Sequence, residues 1–407
     1  MADDILTPDF DVWPITRRPR SARVEDDVVV VTWQGGGESR FNTWWLIDNS
    51  PMPEHINRDT REPTLDLSTL PDVFRAETAT VDASGTLYVT WSDGVSPCHY
   101  HAGWLAAHDI DSGGFRGDDR PAPQHWDAAA LEAPPSLDGA AILQDDDALA
   151  AWLDAVAVWG IGRLHGVSSD PGTVQRVAER IGTPRATNFG LVFDVQSKIA
   201  PDTNAYTALE LTPHVDLPTR EYQPGLQILH CLENTATGGE AVMVDGFRLA
   251  DALAEDDAAA FAVLCDQPFD FANRARSTDY RWRSPVIVRE TDPAAPGRYR
   301  EVRVAGFLRG PLAMPAEAVG EAYRALRRMF ALSREPRFQL RFTYRPGDLV
   351  LFDNRRLLHG RAAFDPTAGE RWLQGIYLER DELYSRIRVL RRQSRQRAAD
   401  LMQGAAE

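Results

Sequence analysis

The residues with the most to offer chemically are His214 and Asp216, in His214-Val215-Asp216, and His359, in Asp353-Asn354-Arg355-Arg356-Leu357-Leu358-His359-Gly360. Side chains on a β-strand alternate faces, so an imidazole and a carboxylate two positions apart point the same way. Such a pair can grip a metal ion as neighbouring ligands, and His359, just past an apolar strand, supplies a third. Two histidines and a carboxylate on one side of an ion leave its other positions open, which suits non-haem Fe(II) that must take on a co-substrate and O2. Zinc in a hydrolase would accept the same ligands, and an isolated His-x-Asp arises by chance in many proteins. The surrounding sequence therefore has to decide. In Arg371-Trp372-Leu373-Gln374-Gly375-Ile376-Tyr377, read as a strand, Arg371, Leu373, Gly375 and Tyr377 share a face. Gly375 leaves room in front of the sheet, and a guanidinium there can take a carboxylate through two parallel hydrogen bonds. The plainer reading is an arginine reaching for solvent from a sheet edge.

The elements that must carry these residues are strand-rich. Residues 337–344 alternate Phe338, Leu340, Phe342 and Tyr344 with polar side chains, and an Arg-Pro-Gly-Asp turn leads into an apolar strand at 349–352. Helices are predicted over 145–159 and 171–181, the second capped by Ser168-Ser169-Asp170 with Pro171 in its first turn. Further helices are predicted near 250–265 and 316–332, and an arginine-heavy one over 381–402. The first hundred residues hold β-branched runs at 27–33 and 86–91, each followed by turn chemistry. Prolines, glycines and charges dominate 113–139, which reads as a linker between a β-rich module at 1–112 and a larger domain at 140–407.

Composition narrows the partners. The 407 residues are 43% hydrophobic and 26% charged, with a formal net charge of −16. That balance argues against nucleic acid and anionic membrane, although a local basic pocket for a small anion remains compatible with it. No apolar run is long enough for a membrane span, and the N-terminus lacks the apolar stretch of a secretory signal. Cys98, Cys231 and Cys265 are too few and too scattered for a disulfide framework or a thiolate cluster. A cytoplasmic protein is expected.

Taken together, HVD, then NRRLLHGR, then an arginine on the following strand resemble the Fe(II)/2-oxoglutarate dioxygenases of the TauD/TfdA superfamily, and within it the γ-butyrobetaine hydroxylase-like subgroup. Residues 223–247 (QPGLQILHCLENTATGGEAVMVDGF), 344–361 (YRPGDLVLFDNRRLLHGR), 383–392 (LYSRIRVLRR) and 159–182 carry the likeness too, so it covers most of the chain. The resemblance implies an α+β, mainly β fold: a double-stranded β-helix (jelly-roll) catalytic domain with a small N-terminal β-rich domain. It implies Fe(II) on His214, Asp216 and His359, and 2-oxoglutarate paired through its distal carboxylate with Arg371. It implies O2 and a small molecule as substrates, and a homodimer. Butyrobetaine-type enzymes enclose a trimethylammonium group in aromatic rings, and the matching positions here are Phe189, Phe193, Tyr206 and Tyr377. Where that subgroup offers asparagines to a substrate carboxylate, this chain has Thr203 and the stretch VRVAGFLRGP with Arg309. Residues 41–55 resemble a segment whose cysteines bind structural zinc, but the positions read Ser50, Met52 and His55. Cys98, His99 and His101 lie downstream. Serine and methionine are poor zinc ligands, so apolar packing is expected there instead of structural zinc. The reading is a hydroxylase of a small cationic or zwitterionic molecule. The alternatives are the same cofactors acting on another small acid or natural-product intermediate by hydroxylation, desaturation or cyclisation, and a non-catalytic binding protein on the same barrel.

Overall fold

A computed structural model describes residues 6–114, 120–196, 208–291 and 299–404. The described residues fall into two compact units, one running to 114 and including those from Arg392 on, the other Arg120–Arg391.

In the first unit, the antiparallel strands Pro19–Glu25, Val28–Trp33 and Glu38–Asn42 form one sheet, and Ala76–Val81, Leu87–Trp91 and Cys98–Tyr100 form another. Period-two alternation buries Val29, Val31 and Trp33 from one sheet with Leu87, Val89 and Tyr100 from the other. Of the residues considered as zinc ligands, Ser50, His55 and Cys98 meet in a buried cluster. Ser50 Oγ lies 3.1 Å from Cys98 Sγ and 2.9 Å from His55 Nδ1, and Trp91 Nε1 donates to Cys98 Sγ at 3.2 Å. Burial raises the pKa of the Cys98 thiol and lowers that of the His55 imidazole. Met52 packs against the apolar core, His99 alternates away from buried Cys98, and the His101 ring caps the helix Ala102–Ala107.

The second unit is a double-stranded β-helix. The strands of its two main sheets are β1 (Ser136–Asp138), β2 (Ile161–His165), β3 (Val192–Val195), β4 (Leu211–His214), β5 (Leu226–Asn234), β6 (Ala241–Asp245), β7 (Gln339–Phe342), β8 (Leu349–Asp353), β9 (Leu357–Arg361) and β10 (Arg371–Leu378). One sheet has the order β1-β2-β8-β5-β10-β3 and the other β4-β9-β6-β7. Their inner faces share one core, in which Cys231, Val350, Phe352 and Leu373 of the first meet Ala241, Met243, Leu340 and Leu357 of the second. The outer face of the larger sheet (Leu226, Ile228, Leu349, Leu351, Ile376) packs on the helices α1 (Asp146–Trp159) and α2 (Thr173–Ile181). That of the smaller sheet (Val242, Val244, Leu358) packs on α3 (Gly246–Asp256), α4 (Ala258–Asp266) and α5 (Ala316–Arg334). A final helix, α6 (Arg380–Gly404), starts against the larger sheet through Leu383 and Ile387. Strands this apolar on both faces are what a helix-covered sheet demands. No helix among the described residues is long and apolar enough to cross a membrane.

Several expectations shift on inspection. From Arg120 on, the proposed linker is part of the barrel unit: Trp126 is 1% exposed, its backbone N–H donates to Asp245 Oδ2 at 3.0 Å, and its indole donates to the Trp159 carbonyl at 2.8 Å. Prolines deny this segment a helix, but a buried tryptophan and main-chain hydrogen bonds anchor it as firmly as a strand would. The residues from Arg392 on group with the first unit instead of the barrel. Helix α2 starts at Thr173, not at Pro171. Ser168 donates to Asp170 instead of capping, and Gly172, with φ +82°, gives its N–H to Gln374 Oε1 of β10. The helix predicted near 250–265 breaks at Asp257, whose carboxylate accepts from the Ala260 N–H and caps a second helix.

Candidate metal and co-substrate site

The three metal-competent side chains come together through one strand pairing and one stapled loop. Strands β4 and β9 run antiparallel with His214 directly opposite His359, ring centroids 4.3 Å apart. Asp216 is not on the strand, as the alternation argument assumed, because β4 ends at His214. Leu217, at φ +52°, turns the chain in the left-handed region that non-glycine residues avoid. Asn354 holds that turn: its Oδ1 accepts from the Asp216 N–H at 2.8 Å, and its Nδ2 donates to the carbonyls of Asp216 and Pro224, each at 3.1 Å. Asp216 Oδ1 ends up 3.3 Å from His214 Nε2 and 3.7 Å from His359 Nε2, and the donor atoms of the three residues all lie within 4.8 Å of one another.

The donor chemistry fits a divalent metal. His214 Nδ1 lies 2.9 Å from the Thr212 carbonyl oxygen, so Nδ1 carries the proton and Nε2 presents its lone pair. Burial and the His214 ring push His359 down to about 3, which keeps it a neutral ligand. Burial alone would raise the Asp216 pKa, but the polar groups facing the carboxylate, the Tyr377 hydroxyl among them, outweigh it and hold it well below its usual range. Tyr377 donates to Asp216 Oδ2 at 2.7 Å, leaving Oδ1 facing the imidazoles.

These groups open onto a cavity of about 130 Å³, and every residue lining it belongs to the second unit. Arg371 reaches it from the start of β10. Burial pulls its pKa down, and its Nε has no hydrogen-bond partner among the described residues. The expected face of β10 is present, since Arg371, Leu373 and Tyr377 all line the cavity. Gly375 makes room as anticipated, and the Phe193 ring of β3 fills it: a Cβ on Gly375 would lie 2.4 Å from that ring. Phe193 stacks on Tyr377 with centroids 5.0 Å apart, and Phe189 follows at 5.9 Å, so these three form one aromatic wall. Tyr206 and Thr203 lie outside the described residues. Arg309 does not line this cavity. Its Nε donates to the Gly306 carbonyl at 2.9 Å and its guanidinium lies over Phe330, so it sits as an exposed loop arginine and not, as the substrate-binding reading would have it, at this cavity.

Other lining residues were not foreseen. Arg361 follows His359 by two positions on β9 and so shares its face, a signal the sequence did contain. Its Nη2 donates to the Leu209 carbonyl at 2.9 Å, and burial with Arg371 nearby pulls its pKa down to about 10. Phe307 packs edge-on against His214 at 4.9 Å. Asn273 reaches the cavity from the hairpin of strands Phe269–Arg274 and Asp279–Ser284. Nothing local in the sequence points to either of these two.

Residues 118–377 match the family described as taurine catabolism dioxygenase TauD, TfdA family, and the chain belongs to this family of iron- and 2-oxoglutarate-dependent dioxygenases. It is 44% identical to the gamma-butyrobetaine dioxygenase of Pseudomonas sp. (strain AK-1), covering 94% of this chain and 99% of that one. Identity to gamma-butyrobetaine dioxygenase of Homo sapiens is 31%, over 89% and 94% of the two chains. Identity to the mitochondrial trimethyllysine dioxygenase of Homo sapiens is 27%, over 86% and 83%.

Proposed function

We propose that this protein hydroxylates a small cationic or zwitterionic molecule of the butyrobetaine kind. In this reading His214, Asp216 and His359 hold Fe(II), and Arg371 pairs with the distal carboxylate of 2-oxoglutarate. When bound, the ion and co-substrate supply the oxidising power, consuming O2, releasing succinate and CO2, and inserting an oxygen atom into a C–H bond. The observation that carries the reading is the union, in one cavity, of the facial donor set, an arginine with unspent hydrogen-bonding capacity, and an aromatic wall.

The wall recognises a quaternary ammonium by cation–π attraction, worth about 0.5–2 kcal/mol per favourable contact. Phe193 and Tyr377 stack too closely for a cation to sit between them, so the cation is left the ring faces of the wall that lie outside that stack. Phenylalanine is a weaker partner than tyrosine or tryptophan, which favours tolerance of related cations over strict selection. Leu211, Leu229 and Met243 line the rest of the chamber with apolar surface that keeps water from the reacting bond.

The test is a screen scored by succinate release, with product mass as second readout. γ-Butyrobetaine or a close quaternary ammonium acid is expected to raise turnover well above the substrate-free level and to add one oxygen atom to the product. Indifference to every such cation, alongside turnover of a neutral molecule, would overturn the substrate assignment.

A further inference from the structure

Gln227 is a polar side chain whose amide oxygen has no hydrogen-bond partner among the described residues. It lies on β5, in register with Tyr377 of β10 on one side and Phe352 of β8 on the other. Both neighbours belong to the level of the metal ligands, since Tyr377 bonds to Asp216 and the Phe352 ring lies 5.0 Å from the His359 ring. Gln227 lines the cavity, is 2% exposed, and its Oε1 is buried without a hydrogen-bond partner among the described residues. Leu229, the next inward residue of the same strand, is apolar. An unsatisfied buried amide lowers stability, and a leucine of similar shape would not. A polar group retained under that penalty beside a binding cavity calls for something in the cavity that satisfies it.

We propose that Gln227 binds the metal-chelating, keto-acid end of 2-oxoglutarate, its amide hydrogen-bonding to the carboxylate there. The inference rests on the functional reading above. A primary amide exchanges its NH2 and its oxygen by a half-turn about its last torsion, so Nε2 takes the position of the unpartnered Oε1 and donates to the anion. Arg371 takes the far carboxylate, and the two side chains together fix both ends of the diacid. This differs from a role in packing, because packing needs no amide.

The experiment titrates Mn(II)-loaded protein with 2-oxoglutarate by calorimetry, without turnover, and records thermal melting of the same samples. Gln227→Leu is expected to bind about tenfold more weakly, about 1.4 kcal/mol, while its melting temperature stays level or rises. Gln227→Met, closer in length, is read the same way should leucine leave the barrel unfolded. A folded variant with undiminished affinity overturns the inference, and so does a lower melting temperature with unchanged affinity, which would make Gln227 a core residue. Wild-type protein that fails to bind 2-oxoglutarate removes the functional reading itself, a result distinguishable from failure of Gln227 alone.

Discussion

The two carboxylate oxygens of Asp216 are used differently. Oδ1 faces both imidazoles, while Oδ2 takes the Tyr377 hydroxyl at 2.7 Å. Tyr377 thus serves twice, its ring in the aromatic wall and its hydroxyl fixing the orientation of a proposed iron ligand. Partners of this kind are worth about 10–100-fold in metal affinity. Tyr377→Phe keeps the ring and removes the hydrogen bond, so Fe(II) affinity in an anaerobic titration should fall by about tenfold or more, with the KM for substrate moving far less. A variant that holds iron as tightly as wild type would show that the hydroxyl does nothing for Asp216. The legibility of single residues follows the same physics. Arg371, Gly375 and Tyr377 could be read from period-two spacing because a strand carries them. Asn354 could not, because its value lies in three hydrogen bonds to a loop far away in sequence.

At the scale of elements, the barrel is tied together by an ion pair that no motif announces. Arg356 and Asp245 are both 1% exposed, with Arg356 Nη2 2.7 Å from Asp245 Oδ2. Asp245 also accepts from the Trp126 N–H and caps α3 through the Phe247 N–H, and Arg356 donates to the carbonyls of Val158 and Gln124. One cluster therefore joins the end of β6, the turn between β8 and β9, the start of α3 and the segment around Trp126. Removing one member of a buried pair strands the other charge, at a cost of about 3–5 kcal/mol. Asp245→Ala should lose that much stability in chemical denaturation, more than Asp245→Asn, which keeps part of the hydrogen bonding. Equal small losses in both variants would show that the charge itself carries little of the effect. The same cluster explains why the proline-rich stretch around Trp126 misled as a linker: composition reports the absence of regular structure, not the absence of burial.

For the whole molecule, protonation is coupled to folding through buried histidine. His230 is 0% exposed, and burial pulls its pKa down to about 4. In the unfolded chain it titrates near about 6.5. Above that pH neither state binds the proton. Below it the unfolded chain does and the folded one does not, so stability is lost as pH falls from about 6.5 toward 4. The loss amounts to something on the order of 3 kcal/mol. In metal-free protein His359 acts in the same direction down to about 3. Denaturation midpoints should therefore drop across this window, and His230→Leu should flatten part of the slope. A wild-type midpoint constant from neutrality to about pH 4.5 would contradict this coupling.

The sequence by itself determined the donor types, the strand bearing Arg371, the mainly β character of the chain and the family, because those follow from local periodicity and from motifs a few residues long. Tertiary structure alone decided that His214 meets His359 across a strand pair, that Asp216 reaches them from a strained loop held by Asn354, and that Arg309 turns away while Arg361, Gln227 and Phe307 turn in. Facing directions at loops and the pairing of distant strands are set by the closure of the barrel and the satisfaction of buried polar groups, which depend on the whole chain at once.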